Sequence, residues 1–317
     1  MDLSVIIPNY NGQDLLQKNL PKVFDAMSVY EGGKVEIIVI DDRSIDNSVR
    51  VLEDLRVKIN TSYPNIEFKI IKNEKNLGFS SNVNKAVKSA SGDILILLNT
   101  DVIPKKDFLI SLLPHFKNER VFAVGCMDKS VENGKIILRG RGIGCWKKGF
   151  LMHSRGEVNR MDTLWVSGGS GAFRKSIWDH LGGFNSLYNP FYWEDIDLSY
   201  RAVKSGYKIL FEPKSVVIHE HEKGVIRNKF SSSKIKSIAY RNQFIFVWKN
   251  MTDLDLQLYH LFWLPYHFIK ALARFDVSFF KGFFSAFILL PEIIKCSIEE
   301  RKFFVLKDKD ITSLFSQ

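Results

Sequence analysis

Four short apolar runs in the first hundred residues restrict this chain to few architectures. Leu3–Pro8 ends in a proline, Val35–Asp41 ends in acids, Ile66–Lys72 alternates, and Ile94–Leu98 is apolar throughout. Helical patterns separate them: Gln13–Met27, Asn47–Ile59 behind Asp46 as its cap, and Ser80–Ala90. Apolar strands alternating with amphipathic helices predict an α/β fold whose mostly parallel sheet is covered on both faces. Ligands bind such sheets beyond the carboxyl ends of the strands. Here those ends are polar, reading Asn9-Tyr10-Asn11, Asp41-Asp42 and Asn99-Thr100-Asp101. They are expected to meet in one crevice.

The middle of the chain, Val121 to about His221, is irregular and rich in glycine and aromatics. Gly140 to Gly144, Gly168-Gly169-Ser170-Gly171, Gly182-Gly183-Phe184 and Phe191-Tyr192-Trp193 stand out. Glycine lets backbone approach a ligand closely, and aromatic faces suit sugar rings; tight turns and core aromatics account for many such residues equally well. From Ser231 the composition turns basic and aromatic. Phe262–Phe275 and Phe279–Ile294 are densely apolar but broken by Lys270, Arg274, Lys281 and Pro291. Neither offers the roughly 20 uncharged residues of a spanning helix. They read as interfacial helices at a membrane surface, or as helices packed on the catalytic domain or on a second copy in a homodimer.

A net charge of +10 favours anionic partners such as lipid or phosphorylated substrates. No nucleic-acid-binding motif appears, so nucleic acid ranks last among them. Three cysteines without metal-ligand spacing, and no signal-peptide pattern before the first strand, predict a cytoplasmic protein.

Four constellations carry chemistry. Asp101 follows a buried strand, where a carboxylate is placed to hold a hard cation against a diphosphate, although turns use such acids often. Asp41-Asp42 are suited to base or ribose hydrogen bonds, or to a cap beside Ser44 and Asp46. Glu194-Asp195-Ile196-Asp197 open an amphipathic helix behind Trp193; acids in a first turn commonly serve the helix dipole, but they also suit a general base. His219-Glu220-His221 follows an apolar strand and offers a metal or phosphate contact.

In this order the motifs resemble the family 2 glycosyltransferases of the GT-A fold, especially the rhamnosyltransferase-like members of bacterial surface-polysaccharide pathways. The resemblance runs from Ser4-Val5-Ile6-Ile7-Pro8-Asn9-Tyr10-Asn11 through Asp41-Asp42, Asn76-Leu77-Gly78-Phe79 and Leu98-Asn99-Thr100-Asp101. It continues through Ser170-Gly171-Ala172-Phe173-Arg174, Gly182-Gly183-Phe184 and Glu194-Asp195-Ile196-Asp197-Leu198 to His221 and Gly224. It implies a GT-A catalytic domain over 1–224, with a nucleotide-binding half at 1–101 and an acceptor half at 102–224. The basic aromatic helices of 225–317 follow, expected to associate with membrane.

The family pattern also implies roles. Pro8, Tyr10, Asp41, Asp42, Gly78, Asn82 and Asn99 would form the nucleotide site. Asp101 and His221 would hold Mg²⁺ or Mn²⁺, with His219 as the alternative histidine. Asp195 would be the catalytic base. Gly171, Trp193, Glu194 and His219 would face substrate. Asn99 stands where a full D-x-D motif has its first acid, leaving one carboxylate in the triplet. The implied reaction is inverting transfer from a UDP- or dTDP-sugar to a saccharide or lipid-linked saccharide, at the cytoplasmic face of the inner membrane. Two rivals are a nucleotidyltransferase, whose glycine- and arginine-rich loop is missing at Asn9-Tyr10-Asn11-Gly12, and a nucleotide-sugar-binding protein without turnover.

Overall fold

The computed structural model describes residues 1–132, 134–219 and 230–315. Its strands are β1 (Leu3–Asn9), β2 (Val35–Asp41), β3 (Ile66–Lys72), β4 (Ile94–Leu98), β5 (Val102–Pro104), β6 (Val121–Glu132), β7 (Lys135–Arg139), β8 (Gly142–Lys147), β9 (Phe150–Arg155), β10 (Ser170–Arg174) and β11 (Lys208–His219). Helices α1 (Gln13–Met27), α2 (Ser48–Ser62), α3 (Phe79–Lys88) and α4 (Phe108–Leu112) belong to the first half. They are followed by α5 (Lys175–His180), α6 (Glu194–Lys204), α7 (Ser232–Asn250), α8 (Leu254–Ala273), α9 (Val277–Ile288), α10 (Leu290–Arg301) and α11 (Asp308–Leu314).

One sheet runs in the order β3-β2-β1-β4-β10-β6-β11-β5, with β7 beside β6, while β8 and β9 form a separate hairpin. Strands β3, β2, β1 and β4 are parallel, as their helical connections require. Beyond them the sheet is mixed: β10 lies antiparallel between β4 and β6, and β5 antiparallel to β11. This antiparallel entry brings the loop before β10 back over the end of β4, which matters for the site.

Side-chain alternation divides the sheet between two cores. Val5, Ile7, Ile37, Val39, Ile96 and Leu98 face Leu16, Leu20 and Phe24 of α1 and Phe108 of α4. Ile6, Ile38, Ile40, Leu95 and Leu97 face Val83, Ala86 and Val87 of α3. The second core also contains Phe244, Ile245, Phe246 and Val247 of α7 and Ile311 of α11. Phe244 meets Phe150 edge-on at 5.1 Å, and Phe246 meets Tyr200 at 5.1 Å. Helices α7 and α11 are therefore part of the globular core rather than an appendage.

Buried charges reinforce that docking. Asp197 on α6 pairs with Arg201 and with Lys249 of α7, each at 2.8 Å. It also accepts hydrogen bonds from Tyr188 and Asn250. Burial alone would raise the Asp197 carboxyl, but Lys249 and Arg201 hold it at about 2. Lys204 and Tyr200 reach Asp308 of α11. By contrast, α8–α10 turn apolar side chains outward: Phe262 is 76% exposed, Phe275 89% and Ile288 75%. Among the described residues no single helix is long and apolar enough to cross a membrane, and α9 and α10 meet that test only together, bent by 63°.

Candidate active site

The three polar strand ends and the start of α6 form one rim, traceable contact by contact. At the β1 end, the Asn9 carbonyl accepts from the Asp42 amide at 2.8 Å, and the Asn9 side chain donates to Asp41 at 2.7 Å. Asp41 also binds the Ser44 hydroxyl and amide, so its carboxylate closes the turn after β2. Asp42 does the same for a more distant loop. Its Oδ1 accepts from the Leu77 amide at 2.7 Å and from Asn73 at 2.9 Å, and its Oδ2 from the Gly78 amide at 2.9 Å. Gly78 has φ +80, and an added Cβ would collide with Asn189 at 2.8 Å. Only glycine serves there.

That loop is tied in turn to the segment before α6. Asn189 donates to the Leu77 carbonyl and accepts from the Ser80 amide, and the Phe79 amide reaches the Pro190 carbonyl. The next residues, Tyr192 and Trp193, have φ of 72 and 76. Two consecutive non-glycine residues in the left-handed region store strain that the surroundings must hold. Asn242 of α7 supplies part of that hold, donating its side-chain amide to the carbonyls of Phe191 at 2.9 Å and Tyr192 at 2.8 Å.

Immediately after the strained pair come Glu194 and Asp195. The Gly168 amide donates to Asp195 Oδ2 at 3.4 Å, and the neighbouring Gly169 carbonyl accepts from the Asn99 amide at 2.9 Å. The loop that precedes β10 thus clips Asp195 to the end of β4. Thr100 follows, its carbonyl accepting from the Asn19 side chain of α1 at 2.9 Å. Hydrogen bonds thus link the strand ends that carry Asp42 and Asp101 to the helix start that carries Asp195.

Electrostatics differ sharply around it. Burial, and then the charge of Asp195, pushes the Glu194 carboxyl well above the usual range, and its Oε2 has no hydrogen-bond partner among the described residues. Burial raises Asp195 to about 6, against the opposing pull of the Ile196 and Gly168 amides. Burial thus raises both adjacent acids, and a carboxyl raised toward neutrality suits a general base.

Asp101 meets His219 Nε2 at 3.2 Å, and His219 Nδ1 meets Asp128 at 2.8 Å. Burial opposes a charge on His219, but hydrogen bonds to Asp101 and Asp128 prevail and raise it to about 9. His219 thus bridges Asp101 and Asp128 through its two ring nitrogens and orients Asp101. His221 and Gly224 lie outside the described residues. Among those described, no group of three or more His, Cys, Asp or Glu is arranged to hold a metal ion. A small hard cation nevertheless needs only one or two carboxylates when phosphate oxygens complete its shell, and Asp101 meets that requirement.

The remaining expected residues have partners of their own. Asn82 uses its amide on the Ile40 carbonyl and accepts from Asn73, bracing Asp42 from the rear. Pro8 pairs with Ile40 in the β1–β2 ladder, and Tyr10 follows at the strand's end. The space beside Gly171 is filled by Val166 and the Ser167 carbonyl. Trp193 is buried against His153 at 4.9 Å and Phe246 at 5.2 Å, whereas its neighbour Tyr192 is the exposed aromatic. Residues to which the sequence reading gave no role include Asp128, Gly168 as a partner of Asp195, Asn189 and Asn242, although the stretch Tyr240-Arg241-Asn242-Gln243 also resembles the family. Asp128 had a signal: it is the first acid after the apolar run Val121–Met127.

The family model for glycosyl transferase family 2 matches residues 4–182, more than half of the chain and most of this rim. The chain belongs to glycosyl transferase family 2. The O-antigen chain rhamnosyltransferase RfbN of Salmonella typhimurium is 27% identical over 225 residues, 70% of this chain and 67% of its own length. The poly-beta-1,6-N-acetyl-D-glucosamine synthase of Staphylococcus epidermidis is 27% identical over 68% of this chain; the chain spans 48% of that relative's length. Among solved structures, GalNAc-T7 with UDP, GalNAc and Mn²⁺ aligns with a TM-score of 0.64 at 20% identity, over 80% of this chain and 48% of its own. S. aureus TarS 1-349 with UDP-GlcNAc aligns with a TM-score of 0.60 at 15% identity, over 100% of this chain and 90% of its own. At these identities the likeness is one of fold. This family 2 transferase has the GT-A architecture that its sequence resembles, with the C-terminal helices in place.

Proposed function

We propose that this family 2 glycosyltransferase performs an inverting transfer from a nucleotide-diphosphate sugar, UDP- or dTDP-linked, to an acceptor hydroxyl in cell-surface polysaccharide synthesis. The carrying observation is Asp195, a half-buried carboxyl raised to about 6, fixed between a strained aromatic turn and a glycine loop hooked to Asn99. Asp195 takes the acceptor hydroxyl proton while that oxygen bonds to the anomeric carbon. The bond from that carbon to the diphosphate oxygen breaks, and its electrons leave with the nucleotide. A single base and no enzyme nucleophile give inversion, by the logic that separates inverting from retaining glycosidases.

Glu194, its carboxyl raised by burial and by Asp195, stands beside the base. Asp42 shapes the 73–78 loop around the nucleotide and retains acceptor capacity on Oδ2 for a base N–H. Asp101, oriented by His219, is the residue to hold Mg²⁺ or Mn²⁺, which when bound neutralises charge on the departing diphosphate. RfbN and the staphylococcal synthase, both named for saccharide transfer or polymer synthesis, support the polysaccharide assignment. The outward apolar faces of α8–α10 support a peripheral place on the cytoplasmic face of the inner membrane and a lipid-linked saccharide acceptor. Nucleotide-diphosphate release from a donor panel, with and without a chelator, tests this reading. Chelator-sensitive release from a UDP- or dTDP-sugar is expected; binding without release overturns it in favour of a non-catalytic binder.

A further inference from the structure

Away from the crevice, α7 and α9 cross closely. An added Cβ at Gly282 would fall 2.6 Å from Tyr240 and 2.9 Å from the Arg241 amide nitrogen, and Ser278 donates to the Ser233 carbonyl at 3.2 Å. Beside this crossing the two helices leave a groove of about 600 Å³. That size lies within the usual range for small-molecule sites. Its lining joins three cations, Lys234 and Arg241 of α7 and Lys281 of α9, with an apolar stripe on α9 made of Phe280, Phe284 and Ile288.

None of the three cations pairs with a carboxylate among the described residues, although Lys236 nearby does, with Asp276 at 2.8 Å. Arg241 spends Nε on Asn242 and Nη2 on the carbonyls of Tyr188 and Asn189, leaving Nη1 without an acceptor among the described residues. The apolar wall is continuous with the outward face of α9, where Phe284 is 57% exposed and Ile288 75%. Unpaired cations beside an apolar wall match an amphiphile: a phosphate carried on a long apolar chain.

We infer that the α7–α9 groove binds the phosphate and first apolar segment of a lipid phosphate, seating the carrier of the acceptor saccharide. Arg241 joins the groove to the active site, because the carbonyls it holds, Tyr188 and Asn189, lie in the segment that leads to Asp195. This deepens the proposed acceptor class and rests on it.

Calorimetric titration of the intact chain with farnesyl phosphate, farnesol and inorganic phosphate tests the inference. Farnesyl phosphate is expected to bind at least about tenfold more tightly than either part alone. Lys234→Glu and Lys281→Glu, both at exposed positions, should each weaken it by about five- to tenfold, while Lys58→Glu on α2, an equal change in net charge, should not. Equal binding of farnesol, equal binding of inorganic phosphate, or indifference to the Lys234 and Lys281 changes overturns the inference. Titration of the same protein with UDP and dTDP reports separately on the donor site. Nucleotide binding without farnesyl phosphate binding sinks the groove alone, and loss of both sinks the transferase reading.

Discussion

The side-chain amide of Asn242 donates to the carbonyl of Tyr192 at 2.8 Å, fastening a C-terminal helix to the residue three before the candidate base. Asn242 is fully buried and donates also to Phe191, so its loss orphans carbonyls inside a strained turn. Asn242→Ala should destabilise the fold by about 1–3 kcal/mol. It should also lower kcat by roughly tenfold or more while leaving nucleotide binding within about threefold, because Asp195 loses its position rather than the donor its contacts. Steady-state kinetics beside UDP and dTDP titrations check this; a fall in nucleotide affinity with kcat unchanged would contradict it.

Asp42 makes the opposite separation. Its carboxylate receives two backbone amides and the Asn73 side chain, all from one loop. Asp42→Ala leaves those amides without their acceptor, and the 73–78 loop should detach from the crevice. Donor affinity is expected to fall by about tenfold or more, with a stability loss of about 1–3 kcal/mol. Calorimetric titration with UDP and dTDP measures the first, and urea unfolding the second.

The raised carboxyl of Asp195 predicts both a pH profile and a stability effect. The base works only when ionised, so kcat should fall as pH drops through about 6. The stability sign runs the other way. A folded carboxyl at about 6 against an ordinary 3.8 binds its proton more tightly when folded, so its contribution is greatest below 3.8 and is lost as pH rises through 6. Asp195→Asn, which carries no charge, should therefore be more stable than the parent at pH 8, by on the order of 1–3 kcal/mol. At pH 4 most of that gain should disappear. Thermal unfolding at both pH values checks it.

The C-terminal helices should prove inseparable from the catalytic domain. Lys249 is buried and pairs with both Asp197 and Glu300. Lys249→Met strands those acids, and breaking a buried pair by removing one partner costs about 3–5 kcal/mol. Deleting 231–317 strips Phe244 and Phe246 from the core and should give an insoluble product. A soluble, cooperatively unfolding truncation would refute this.

How much of this the sequence disclosed depends on how local each signal is. The parallel strands were legible because apolar runs such as Val35–Asp41 are buried on both faces. Their polar ends and the acids at the start of α6 marked candidates, and the family resemblance singled out Asp42, Asp101 and Asp195 among them. The antiparallel entry of β10 was not legible, since Ser170–Arg174 carries no mark of direction, and with it went the role of Gly168. Trp193 was expected to face substrate, yet its ring packs on His153 and Phe246 while Tyr192 is the exposed neighbour. Asn242 lies 47 positions after Asp195 in a stretch that reads only as basic and aromatic helix, so only tertiary packing shows what its amide does. The charge on His219 likewise depends on Asp128 from a neighbouring strand.

The central claim is that Asp195 removes the acceptor proton at a site whose donor pocket is built by other residues. The direct measurement compares the parent chain with Asp195→Asn on whichever nucleotide-sugar the parent cleaves, following nucleotide-diphosphate release and donor affinity together. The account predicts donor binding within about threefold and release reduced by at least about a thousandfold, on the order of 4 kcal/mol of transition-state stabilisation. Release at the parent rate from Asp195→Asn would contradict it.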